Sequence, residues 1–114
     1  MGSEVSVQEI GETPEGRIHL ESWGAAIALK PYLHAIADPT RLSILLELAH
    51  TGERQVLELA RLLGLSQPLA SWHLRILRQA GLVTTRRLGR QVFCRLNRER
   101  LGEFRAQFDA LMNV

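Results

Sequence analysis

Apolar residues recur along this chain at two periods, and the changes of period divide it into elements. Residues 1–19 show no periodicity and carry Gly11, Pro14 and Gly16, the composition of a flexible acidic arm. From Leu20 the spacing becomes helical, with Leu20, Trp23 and Ile27 on one face. Pro31 interrupts that face and Leu33 and Ile36 fall on another phase, which predicts a kink or a fresh helix start. Asp38-Pro39 reads as the cap and first position of a further helix, with Leu42, Leu45, Leu46 and Ala49 as its stripe and a stop before Thr51-Gly52. Residues 54–63 predict a short helix with Val56, Leu59, Ala60 and Leu63 inward and Gly64 as its C-terminal stop. Ser66 caps the next helix, which runs to Gly81. Beyond it the pattern becomes β-like, Leu82–Arg87 and Gln91–Leu96 flanking a tight "LGR" turn. Asn97 then caps a final helix carrying Leu101, Phe104, Phe108 and Leu111 at steps of three and four.

These elements describe a mainly α fold with a β-hairpin, in the order α-α-α-α-β-β-α, the kinked first stretch taken as one helix. A short helix, a glycine-containing turn and a second helix form a helix-turn-helix, and the hairpin follows it directly, as a wing. Residues 20–114 read as one domain behind the 1–19 arm. No apolar run approaches the roughly 18 residues of a membrane span, and the acidic start lacks the apolar stretch of a secretory signal. The expected location is cytoplasmic, with no membrane partner. Cys94 is the single cysteine, so neither an intramolecular disulfide nor a cysteine-rich metal site is available. At an alternating strand position it reads as a small packed apolar residue.

Taking the helix that starts at Gln67 at about 100° per residue puts Ala70, Leu74 and Leu77 in one arc, facing the core. His73 lies at the edge of that arc and reads as a half-buried histidine satisfied by a local hydrogen bond. Pro68, Ser71, Trp72 and Arg75 take the opposite side, flanked by Gln67 and Arg78. Such a face of hydrogen-bonding groups, a flat ring and cations suits the major groove of a DNA duplex. For Trp72 the alternative is burial beneath the N-terminal arm or in a dimer contact. Charge supports the duplex. The net charge is only +2, yet residues 75–100 hold eight arginines against Glu99 alone. Clustering of one sign is repulsive unless a polyanion relieves it, and the arginine fork matches phosphate oxygens and guanine edges. Ser66, Gln67, Pro68, Ser71, Trp72, Arg75 and Arg78, with Arg86, Arg87 and Arg90 around Gly89 on the wing, are therefore the candidate DNA contacts. Arg75, Arg78 and the wing arginines suit phosphates, and Gln67, Ser71 and Trp72 suit base edges.

The segments "ADPTRLSIL", "SQPLASWHLRILRQAGLV" and "GRQVFCRL", in that order and spacing, resemble the winged helix-turn-helix regulators of the ArsR/SmtB type, over about residues 30–97. The resemblance implies a homodimer through the first and last helices, with Leu20, Trp23, Ile27, Leu101, Phe104, Phe108 and Leu111 at the interface. It also implies a pseudo-palindromic operator and an effector-responsive repressor. The apolar seam of the last helix supports dimerisation independently. The sensor departs from the family's pattern: "RQVLELARLL" lacks the Cys-x-Cys of metal-sensing members, and the last helix offers Glu103 and Asp109 but no histidine. No metal or other cofactor is assigned; the sole candidates for a non-standard divalent transition-metal site are His19 and His34. A second reading is a protein-interaction module that needs a co-regulator for DNA binding or sensing; a small-molecule effector is the other open partner. An enzyme is not expected, because His73, Cys94 and Asp109 form no triad and no glycine-rich phosphate loop occurs.

Overall fold

The computed structural model describes residues 22–113. The arm 1–19, and with it His19 and Leu20, lies outside the described residues. Helix α1 (residues 22–28) breaks at a turn on Leu29, and α2 (Lys30–Ile36) restarts with Pro31 in its first turn. A proline lacks the N–H that a helix interior needs but loses nothing in the first turn, so the phase shift seen in the sequence is a restart. Helix α3 (Pro39–Thr51) opens on Asp38, whose carboxylate accepts from the Arg41 backbone N–H at 3.1 Å.

The stripe of α3 differs from the expected one. Ile44, Leu45 and Leu48 are buried, together with Arg41, whereas Leu42 and Leu46 are 46% and 53% exposed. Six of the eight residues from Leu42 to Ala49 are apolar, so this helix has two apolar arcs, and its own spacing cannot say which meets the core.

A second difference follows at residues 53–55. The expected start of a helix is instead strand β1 (Glu53–Gln55), and α4 (Val56–Leu63) begins after it. Gly64 takes the left-handed conformation that closes α4, with φ 66°. Helix α5 (Gln67–Gln79) starts at Ser66, whose Oγ accepts from the Leu69 N–H at 3.3 Å. Strands β2 (Val83–Leu88) and β3 (Gln91–Leu96) are joined by Gly89 and Arg90 alone. The first central position of such a two-residue turn calls for φ > 0, and Gly89 supplies 62°. The hairpin is the outer part of a three-stranded antiparallel sheet ordered β1-β3-β2, with Glu53 opposite Arg95 and Gln55 opposite Phe93.

Ile44, Leu48, Leu59, Leu74, Leu77, Leu82, Val83 and Cys94 fill the centre, all under 2% exposed. The helices therefore pack on one face of the sheet, around a single core. Cys94 is held as a packed residue: its Sγ donates to the Arg54 carbonyl at 3.4 Å, and burial pushes its thiol pKa up to about 12.

Helix α6 (Arg98–Met112) starts at Asn97, whose side chain accepts from the Arg100 N–H at 3.1 Å. Phe104 does not stand free on α6. It is 8% exposed and stacks on Tyr32 at 5.3 Å between ring centroids, so this part of the apolar seam is covered by its own chain. Phe108, one turn on, is 41% exposed and 6.2 Å from the Phe104 ring.

Candidate nucleic-acid interface

Helices α4 and α5 with the intervening turn form the helix-turn-helix, and α5 turns its arc of Ala70, Leu74 and Leu77 fully into the core. Its other side is thereby fixed outward. Ser66, Gln67, Pro68, Trp72, Arg75 and Arg78 are exposed, and Ser71 is half-buried beside Gln67, whose Nε2 donates to the Ser71 Oγ at 3.3 Å. Trp72, 49% exposed, lies edge-on to the His73 ring at 5.0 Å rather than under another element of the described chain. His73 departs from its expected half-buried place with a local hydrogen bond: it is buried, and its Nδ1 lies 3.2 Å from Nη1 of Arg41, 32 positions away in the chain.

Between α5 and the wing runs a cleft of about 470 Å³, into which Gln67, Ser71 and Arg78 project from the helix and Thr85, Arg87 and Arg90 from the hairpin. Among the described residues no carboxylate lines it and none of Arg75, Arg78, Arg87 and Arg90 is ion-paired, so no described acid compensates their charge. Concentrating unneutralised guanidinium groups against a polar groove favours a polyanion over any neutral ligand.

Arg86 is separated from this group by the alternation of the strand. Neighbouring strand residues face opposite sides, so Arg87 enters the cleft and Arg86 turns to the other face of the sheet. There its guanidinium donates to both Glu53 carboxylate oxygens, at 2.8 and 3.0 Å, and stacks over Phe93 at 4.7 Å. Those hydrogen bonds hold the Glu53 carboxyl below the usual carboxylate range and push the Arg86 pKa up. Thr85 is the cleft residue that the sequence reading passed over. Its signal was available, since it shares a strand face with Arg87. Gln55, also at the cleft, had no such signal, because the strand that places it was not foreseen.

Two apolar surfaces lie away from the cleft. Trp23, Ile27 and Leu33, with His34, line a shallow one on α1 and α2. Leu42 and Leu46 of α3 meet Leu101 and Phe104 of α6 in another, of about 200 Å³. His34 is exposed, and among the described residues no three His, Cys, Asp or Glu side chains gather into a set that could hold a metal ion. No described helix is long and apolar enough to cross a membrane.

Residues 38–85 match the family model described as bacterial regulatory protein, arsR family. The HTH-type transcriptional repressor SmtB of Mycobacterium tuberculosis is 48% identical over 64 residues, which cover 56% of this chain and 47% of that protein. The match thus spans about half the length of that relative. A biofilm growth-associated repressor of Agrobacterium fabrum is 41% identical over 88 residues, covering 77% of this chain and 71% of its own. A crystal structure described as a possible transcriptional regulator for arsenical resistance superposes with a TM-score of 0.63 at 41% identity, covering 68% of this chain and 80% of that one.

Proposed function

The chain belongs to the arsR family of bacterial regulatory proteins, and from that premise we propose that it is a sequence-specific DNA-binding transcriptional repressor that acts as a homodimer in the cytoplasm. The observation that carries the reading is the cleft between α5 and the wing, where Arg78, Arg87 and Arg90 converge beside Gln67 and Ser71 with no acid among them. The arginines anchor on phosphates and set the register. Gln67, Ser71 and Trp72 then meet base edges and thymine methyl groups in the major groove.

Two-fold symmetry accounts for the rest. One α5 reads only a few base pairs, so a dimer presenting two such helices about 34 Å apart would bind a pseudo-palindromic operator. Trp23 and Ile27 on α1, and Phe108 and Leu111 on α6, are the residues we assign to the dimer interface; Phe104, already stacked on Tyr32, supports it from beneath. We read the protein as responsive to a small molecule or a partner protein that binds one dimer geometry better than another, and so changes operator affinity by linkage.

The test is a gel mobility-shift assay of the purified protein on duplexes selected from a random-sequence library, with sedimentation of the free protein alongside. A dimer that prefers the selected duplex over random DNA is the expected result. A protein that shifts no duplex unless a second protein is added would replace this reading with that of a co-regulator-dependent module.

A further inference from the structure

Arg41 is the one arginine buried among the described residues, at 6% exposure, and no carboxylate lies within ion-pairing distance of its guanidinium there. Burying an unpaired cation is costly unless its donors are all directed at good acceptors. In this protein the acceptors come from two separate elements. Nε donates to the Ala35 carbonyl at 2.7 Å and Nη2 to the His34 carbonyl at 3.2 Å, both at the end of α2. Nη1 lies 3.2 Å from Nδ1 of His73, at the middle of α5.

An arginine side chain only donates, so Nδ1 of His73 must accept, and the neutral ring carries its proton on Nε2. The Asp38 carboxylate, which caps α3, stands 3.9 Å from the same Nδ1. The Arg41 guanidinium carbon also lies 5.8 Å from the centre of the Trp72 ring, which is edge-on to His73. One planar group thus holds the α2–α3 corner, the middle of α5, and the aromatic side chain next to His73 on the outer face.

We propose that Arg41 is a positioning residue for sequence recognition, fixing the rotation of α5 and the Trp72 ring through the His73 Nδ1 atom. The core contacts of Ala70, Leu74 and Leu77 keep α5 on the body of the protein, but apolar packing tolerates small rotations that a directional hydrogen bond does not. Base readout depends on such rotations. Phosphate anchoring by the long side chains of Arg78, Arg87 and Arg90 does not. The inference rests on the DNA-binding reading above and adds to it a buried residue that is not itself one of the candidate contacts.

The experiment uses the full chain with both of its tryptophans, Trp23 and Trp72, and reads Trp72 emission as the fluorescence difference between each protein and its Trp72→Phe counterpart. Arg41→Met, His73→Leu and His73→Asn are compared with this parent for affinity to a library-selected duplex and to random duplex, for salt dependence and for melting temperature. Leucine removes the acceptor, whereas the Asn side-chain oxygen stands near the position of Nδ1. We expect Arg41→Met and His73→Leu to lose about tenfold or more in affinity for the selected duplex, the scale of one hydrogen bond to a charged group. Random-duplex affinity and salt slope should stay unchanged, Trp72 emission should shift, and His73→Asn should retain the preference.

Arg41→Met or His73→Leu protein that folds and keeps its preference would overturn the inference. So would a parallel fall of both affinities with melting temperature, which marks a structural role alone. If Arg41→Met does not fold, the contrast between His73→Leu and His73→Asn decides. A parent that prefers no duplex would end the DNA-binding reading itself, and this one with it.

Discussion

Replacing Arg90 by alanine isolates the electrostatic part of duplex binding. Arg90 sits in the two-residue wing turn, lines the cleft, and is not ion-paired among the described residues. Each protein cation that neutralises a phosphate releases condensed counterions, so log K falls with log salt by about 0.9 per contact. In the proposed dimer one contact is lost in each wing, and the slope should flatten by about 1.8. Between about 50 and 200 mM salt the variant's deficit should therefore shrink roughly tenfold, and it should apply alike to every sequence. Fluorescence anisotropy with a labelled duplex over a salt series measures both quantities. The control is the pair Arg86→Ala with Glu53→Ala, which removes the ion pair on the other face of the sheet as a neutral unit and should change the slope by less than about 0.3. An unchanged slope for Arg90→Ala, or equal flattening in the control, would refute the assignment of the cleft.

Three further outcomes are expected. Gln67→Ala should relax preference at one or two base pairs by about 1–3 kcal/mol each while leaving random DNA unaffected, a difference that repeating the library selection would register. Leu48→Ala, at 0% exposure in the core, should destabilise the fold by about 2–5 kcal/mol, measured by urea unfolding of wild type and variant at matched protein concentration. Cys94, with its thiol pKa raised to about 12, should resist a thiol reagent in native buffer and react at once in denaturant; rapid labelling of the native protein would disprove its burial. Because the folded thiol keeps its proton above the ordinary value of 9.0, the stability it supports is whole below pH 9 and drains away as the pH climbs from there to 12.

Punctuating residues made most of this architecture legible. Asp38-Pro39, Ser66 and Asn97 cap the helices they were expected to cap, and Gly64 and Gly89 take the positive φ that their turns demand. The arc of α5 was legible for the same reason, since only three of its residues are strongly apolar and in phase. Helix α3 was not, because apolar residues hold six of the eight positions from Leu42 to Ala49 and the choice of buried arc belongs to its neighbours. Strand β1 escaped because three residues carry no detectable alternation, and its partner lies some forty positions on. Arg41 escaped for a different reason. Arginine is normally a surface residue, and the carbonyl oxygens that let it go inside are main-chain atoms, invisible in side-chain chemistry. Arg86 and Arg87 could have been told apart by strand alternation, but not which of them the fold would turn toward α5.

Strand β1 has a mechanical consequence. It joins β3 directly to the residue that begins α4, and the Glu53–Arg86 pair spans the sheet from β1 to β2. The hairpin is therefore tied at its base by a third strand and one ion pair, and stands opposite α5 as one arm of a caliper. If the cleft takes a duplex as proposed, a caliper held at one gauge would measure the double helix before any base is touched, and tracts too narrow or too wide for its opening would be discounted by shape alone.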